Sequence, residues 1–309
     1  AEVSRYLTVF SGQPAGVITI RQLLSHTSGL STFQGNRSHS DNTPHKNALA
    51  RRVNQQAGVI PAYNPGDRWE YSNLNYQILG RLIEVVSGQT YQSYIATLIL
   101  EPVGMTHSFV ADGEIHDAMA TGHRPWFGTK RPLAENKTDL GTAPQGGIIA
   151  SASDLARYLL IMMNGEDDVL SAKGKAVMMR PASEASPFYG FGWLLDSGNR
   201  TVYHSGNSVG YETLATMDLA EKKGVVVLVN AVGGMGFGET AQLRNGITAR
   251  ALGLDYDGEG SRLSMKAFFI TLALLPVMFL INMIWAWWHR REIRAKSGFF
   301  GLFSLWFPL

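Results

Sequence analysis

The sequence predicts a mixed α+β domain, an antiparallel sheet flanked by helices beside a more helical region, followed by one membrane-crossing helix. Three observations carry this. Apolar residues recur at helical spacing before residue 189, whereas short strand-like runs joined by short turns follow it. Near the end, Ala267 to Trp288 (AFFITLALLPVMFLINMIWAWW) runs without a charge.

The elements follow in chain order. Thr19 caps a short helix that reaches Leu24 and ends near Gly29. Ile78, Leu79, Leu82, Ile83 and Val86 repeat at helical spacing, with Ser72 or Asn73 as cap and Gly88 as stop. Another helix begins near Ser153-Asp154 and carries Leu155, Tyr158, Leu159 and Met162. Phe191 to Leu195, Thr201 to His204, Thr213 to Met217 and Val225 to Val229 read as strands, and connections this short favour an antiparallel meander. The run VVVLV lacks alternation and is expected to be a central strand covered on both faces. A helix from about Glu239 to Leu252 offers Leu243, Ile247 and Ala251 to that sheet. The expected organisation is a globular domain over 1–254, a polar linker over 255–266, a membrane helix over 267–288, a basic cytoplasmic loop over 289–297, and the start of a second apolar span over 298–309.

Composition narrows the chemistry. With 309 residues the chain can bury a full core, and the absence of cysteine excludes disulfides and thiolate nucleophiles. The net charge is +2, but His289 to Lys296 contributes +3 by itself, so no general nucleic-acid-binding surface is expected. No pair of the eight histidines has HExxH spacing, and GxGxxG and GxxxxGK[ST] are both missing. No metal, nucleotide or other cofactor is implied. The uncharged stretch, at ~1.5 Å per helical residue, covers a hydrocarbon core of about 30 Å. A buried helix of a soluble domain is the competing reading. Tryptophans at one end and the flanking HRREIRAK favour lipid, and the positive-inside rule then puts residues 1 to about 264 on the outer face.

Three short elements carry chemistry: LLSHTSGL (Leu23 to Leu30), Tyr71-Ser72-Asn73 before an amphipathic helix, and His204-Ser205-Gly206 followed by Asn207. Taken singly, each also reads as plain structure: a helix stop, a helix cap and a polar turn. Together with GGIIASASDLARY, YGFGW, and HSGNSVGY followed by VVVLVN, they occur in the order found in the serine β-lactamase-like family. The chain resembles that family of class C β-lactamases, penicillin-binding proteins, DD-peptidases and esterases from about residue 3 to residue 252.

The resemblance implies a β-lactamase/transpeptidase-like fold and an acyl-enzyme mechanism on a small-molecule or peptide acyl substrate. It implies that Tyr71 is a general base and that Asn73 orients substrate and catalytic side chains. A tyrosine, with an ordinary pKa of about 10, needs a neighbouring cation for that task. It further implies that His204 and Gly206 line the cleft, with Ser205 beside them, and that the Asn207 N–H supplies half of an oxyanion hole. Histidine where the family commonly has lysine weakens carboxylate recognition, which favours peptide or ester substrates over antibiotics. The family's Ser-x-x-Lys nucleophile motif is missing: none of the nine lysines follows a serine by three positions. Thr43-Pro44-His45-Lys46 comes closest and reads as a loop. The expectation is therefore a fragment that lacks its nucleophile, with cleavage of a signal peptide at Ala1 as the competing account of the N-terminus. A non-catalytic ligand-binding module on a membrane protein is the rival function.

Overall fold

The computed structural model describes residues 1–37, 47–126, 129–233, 239–258 and 263–295. The Thr43 to Lys46 segment and the apolar stretch 298–309 lie outside them. The chain divides into two compact units. The larger comprises Ala1–Val232 with Thr240–Tyr256, and the smaller contains the apolar helix Leu263–Trp288.

In the larger unit, a helical region encloses one core built on Phe10, Ile18, Leu23, Leu30, Leu74 and Ile78. Its principal helix, Asn73–Ser87, buries Leu74, Ile78 and Leu82, four residues apart on one stripe, and stops at Gly88 in the left-handed region (φ 72°). Val86, one step further along and in the last turn, is exposed. The short helix Ile20–Leu24 starts on a reciprocal capping box between Thr19 and Gln22. The helix expected near Ser153 spans Ala152–Met163. Ser151 is its cap, which frees Asp154 to accept from the His107 N–H and the Ser108 hydroxyl.

The sheet is a four-stranded antiparallel meander: Leu194–Asp196, Thr201–Ser208, Tyr211–Asp218 and Lys223–Val229. Phe191 precedes the first strand because Gly192 (φ 78°) turns the chain there. Leu159 and Met162 of the Ala152–Met163 helix cover one face, against Trp193, Val202 and Met217.

Two expectations are corrected. Lys223–Val229 is the end strand of this four-stranded sheet, and Leu228 is 37% exposed. An unbroken aliphatic run fits a half-covered edge as well as a centre, since valine suits either environment. On the Glu239–Leu252 helix, Leu243 and Ile247 are exposed and the buried residues are Thr240, Thr248 and Ala249. The helix is tied to the sheet by Arg244, which donates to the carbonyl of Thr213 (2.9 Å).

In the smaller unit, Leu263–Trp288 begins ahead of the expected Ala267, so the end of the anticipated linker is helical. Its stretch Lys266–Trp288 is long and apolar enough to cross a membrane, and Phe268, Phe279, Ile281 and Trp287 are exposed. The flank Arg290–Ala295 is also helical.

Candidate active site

The site assembles where the start of the Asn73–Ser87 helix meets the strand Thr201–Ser208. The Tyr71 and His204 rings, from these two distant parts of the sequence, lie 6.2 Å apart between centroids. Tyr189 closes the group, its ring 6.5 Å from that of His204 and 5.2 Å from that of His26. Trp69 packs on Tyr189 and Phe188, giving the cluster an aromatic wall.

The segment before the helix is held extended from several sides. Thr32 donates its hydroxyl to the Tyr71 carbonyl (2.6 Å), and its N–H reaches Glu70 Oε1 (2.8 Å). Ser72 occupies the N-cap position, but its hydroxyl donates to the Ser31 carbonyl rather than capping the helix. Gly35 lets the Thr32–Asn36 helix press against this segment: a Cβ there would come within 2.6 Å of the Asn73 nitrogen. Asn73 donates its side-chain amide to Asn36 Oδ1 (2.9 Å).

On the sheet, the two-residue turn Val209–Gly210 closes on the pair Ser208–Tyr211. Such a turn closes on a hydrogen-bonded pair, and bonded and non-bonded pairs then alternate along the ladder. Asn207, opposite Glu212, falls in a non-bonded pair, so its N–H points away from the Tyr211–Asp218 strand. Ser205 shares that phase. Among the described residues the neighbouring strand pairs only with Thr201 to Tyr203, which leaves the Ser205–Ser208 edge open. Gly206 faces Thr213, whose Oγ1 would lie 2.3 Å from an added Cβ, so the sheet's own packing already demands glycine here.

The electrostatics are those of a buried cluster of phenols and imidazoles. Burial raises the Tyr71 phenol above its ordinary range and pushes Tyr76 and Tyr189 up as well. Burial lowers the His204 imidazole, against a smaller opposing effect of a hydrogen bond to the Ser205 backbone. His26 is pushed down to about 3, by burial first and by His204 second. Both histidines are therefore neutral at physiological pH. A fixed positive charge, which a lysine at position 204 would supply, is not reproduced.

Tyr71 and His204 thus come together, Ser205 to Asn207 follow His204 on the same strand, and Asn73 is engaged with Asn36. The residues that sequence reasoning did not single out are His26, Trp69, Asn75 and Tyr189. Two of them stood inside quoted motifs, His26 in LLSHTSGL and Tyr189 in YGFGW. Only the fold shows that they face Tyr71.

A family model described as beta-lactamase matches residues 1–249. Protein flp of Staphylococcus aureus (strain MRSA252) is 28% identical over 240 residues, covering 74% of this chain and 47% of that protein. Penicillin-binding protein 4* of Bacillus subtilis (strain 168) is 29% identical over 250 residues, covering 74% of this chain and 54% of that protein. The chain thus spans about half the length of the curated relatives it matches. Among solved structures, the octameric penicillin-binding protein homologue from Pyrococcus abyssi superposes with a TM-score of 0.66 at 23% identity, over 82% of this chain and 60% of that one. That likeness establishes the fold.

Proposed function

The chain belongs to the beta-lactamase family, and from that premise we propose that it forms the proton-handling and substrate-lining part of a membrane-anchored serine acyl hydrolase. The observation that carries this reading is the juxtaposition of Tyr71 with His204 beside an open strand edge. In the proposed reaction a serine hydroxyl attacks the carbonyl carbon of an ester or amide. A new C–O bond forms, the leaving group departs with the serine proton, and water later hydrolyses the acyl ester.

Tyr71 relays the proton. Its raised pKa keeps it a phenol near neutrality, competent to donate to a leaving group. To accept a proton first it needs a cation beside it, the role that the Ser-x-x-Lys lysine has in the family. The Asn207 N–H stabilises the oxyanion at the open edge. Neutral His204 and the aromatic wall of Trp69 and Tyr189 favour an uncharged or apolar acyl moiety, hence peptides and esters over carboxylate-bearing antibiotics. The proposed anchor is Lys266–Trp288, and the basic residues after it support, by the positive-inside rule, a catalytic unit on the outer face.

Two measurements test this. The chain of 309 residues, lacking Ser-x-x-Lys, should take up no stoichiometric label from a fluorescent penicillin or a fluorophosphonate; modification at one serine would contradict the assignment. In the full-length protein, Tyr71→Phe should lower kcat on a p-nitrophenyl ester by about 10²–10⁴-fold. The missing motif favours one other reading, a ligand-binding module without turnover. A full-length protein that binds an acyl peptide yet never forms an acyl-enzyme would decide for it.

A further inference from the structure

The histidine of LLSHTSGL has no part in the mechanism above, yet it is the residue most closely wrapped around Tyr71. His26 is 1% exposed. Its backbone sits in the left-handed region (φ 56°), uncommon for a residue with a side chain, and this turns both its carbonyl and its ring toward one segment. The carbonyl accepts the Glu70 N–H (2.9 Å), and Nδ1 accepts the Ser72 N–H (3.1 Å). The N–H groups of the two residues that flank Tyr71 are therefore both tied to one residue. The imidazole also lies against the phenol ring, centroids 4.2 Å apart and tilted by 32°.

A buried relay sets the tautomer. The Leu30 N–H donates to Ser28 Oγ (3.2 Å), so the Ser28 hydroxyl donates onward to Asn75 Oδ1 (2.6 Å). The Asn75 amide nitrogen then faces His26 Nδ1 (2.9 Å). Two donors converge on Nδ1, so it must be unprotonated and the proton resides on Nε2. Nε2 is buried with no hydrogen-bond partner among the described residues, enclosed by the rings of Trp69, Tyr71, Tyr76 and Tyr189. Leaving a donor unpaired in the interior is unfavourable. Its retention here fits a ring whose place is dictated by the acceptor on its other side.

We propose that His26 is the positioning residue for Tyr71: its carbonyl and its imidazole hold the N–H groups of the residues on either side of the tyrosine, and its ring stacks on the phenol, holding it toward His204. The inference rests on the reading of Tyr71 as the proton relay. His26 itself touches no substrate.

The test uses two complementary substitutions in the full-length protein. His26→Asn tolerates a positive φ and returns an acceptor oxygen near the Nδ1 position, but loses the ring. His26→Phe keeps a ring and loses the acceptor, stranding the Ser72 and Asn75 donors. Displacing a reacting group by about 1 Å can cut turnover by about 10²-fold. His26→Phe should therefore lower kcat by about 10–10²-fold with KM changed by less than about threefold, and His26→Asn should retain kcat within about tenfold.

Tyr71→Phe in parallel separates the two ideas. If Tyr71→Phe abolishes turnover while folded His26→Phe retains full kcat, the positioning role is wrong and the relay stands. If Tyr71→Phe is itself silent, the relay fails. Nitrogen-15 spectra of the wild-type ring decide the matter even where a variant does not fold. They should show Nδ1 unprotonated and Nε2 protonated from about pH 5 to about pH 8. A protonated Nδ1 in that range overturns the proposal.

Discussion

His26 lies within a shell of aromatic rings that holds its imidazole neutral down to about pH 3, whereas an unfolded chain protonates it near its ordinary 6.5. Below about pH 6.5 the unfolded state therefore binds the extra proton and the native state does not. The sign follows: stability is whole above that pH and is lost as pH falls toward 3, by roughly 1.4 kcal/mol per pH unit from this group. Denaturant midpoints between about pH 7 and about pH 5 should fall accordingly, by roughly 2 kcal/mol in unfolding free energy. In His26→Asn the dependence should flatten by about that amount, and an unchanged slope would show that other groups govern it. His204, also lowered by burial, contributes in the same direction. It is proposed to shape the cleft wall rather than to move a proton, so His204→Ala should act more on KM than on kcat.

At the scale of elements, the Asn73–Ser87 helix follows closely on Tyr71, so its seating matters more than its propensity. Gly80 lies in its interior, where glycine is normally unfavourable by roughly 0.5–1 kcal/mol relative to alanine. Here a Cβ would come 2.2 Å from Pro144 Cγ, closer than any real contact. Gly80→Ala should therefore destabilise by about 1–3 kcal/mol despite its better helix propensity. Gly88 gives the contrasting case, because an added Cβ meets nothing within 4 Å and only the positive φ opposes it. Gly88→Ala should lose about 1–2 kcal/mol through the backbone alone. Thermal unfolding of both variants checks the pair. Gly80→Ala should also disturb the Tyr71 environment, since it shifts the helix rather than its exposed end.

For the whole molecule, the test of bilayer attachment falls on the apolar helix Leu263–Trp288. Proline 276 inside it fits a span whose freed backbone groups find local partners. Val277→Arg places a charge near the middle, which insertion scales penalise by about 2.5–3.5 kcal/mol. The variant should shift from the alkali-resistant membrane fraction toward the soluble one, and an unchanged distribution would show that this helix is not the anchor. Much of this organisation was legible in the sequence, because it depends on local pattern. The four-strand meander, the helix stop at Gly88, the apolar stretch and the family motifs each occupy a few consecutive residues. What one-dimensional pattern does not contain is the choice among sterically equivalent faces. An unbroken valine run became an end strand through its place in the strand order, and threonines rather than Leu243 and Ile247 turned inward on the last helix of the larger unit. The candidate site divides the same way. Residue types and spacing marked Tyr71 and His204, whereas His26, Asn75 and Tyr189 joined them only through contacts between segments distant in the chain. Burial and hydrogen bonding, which set tautomer and charge there, exist only once those segments meet.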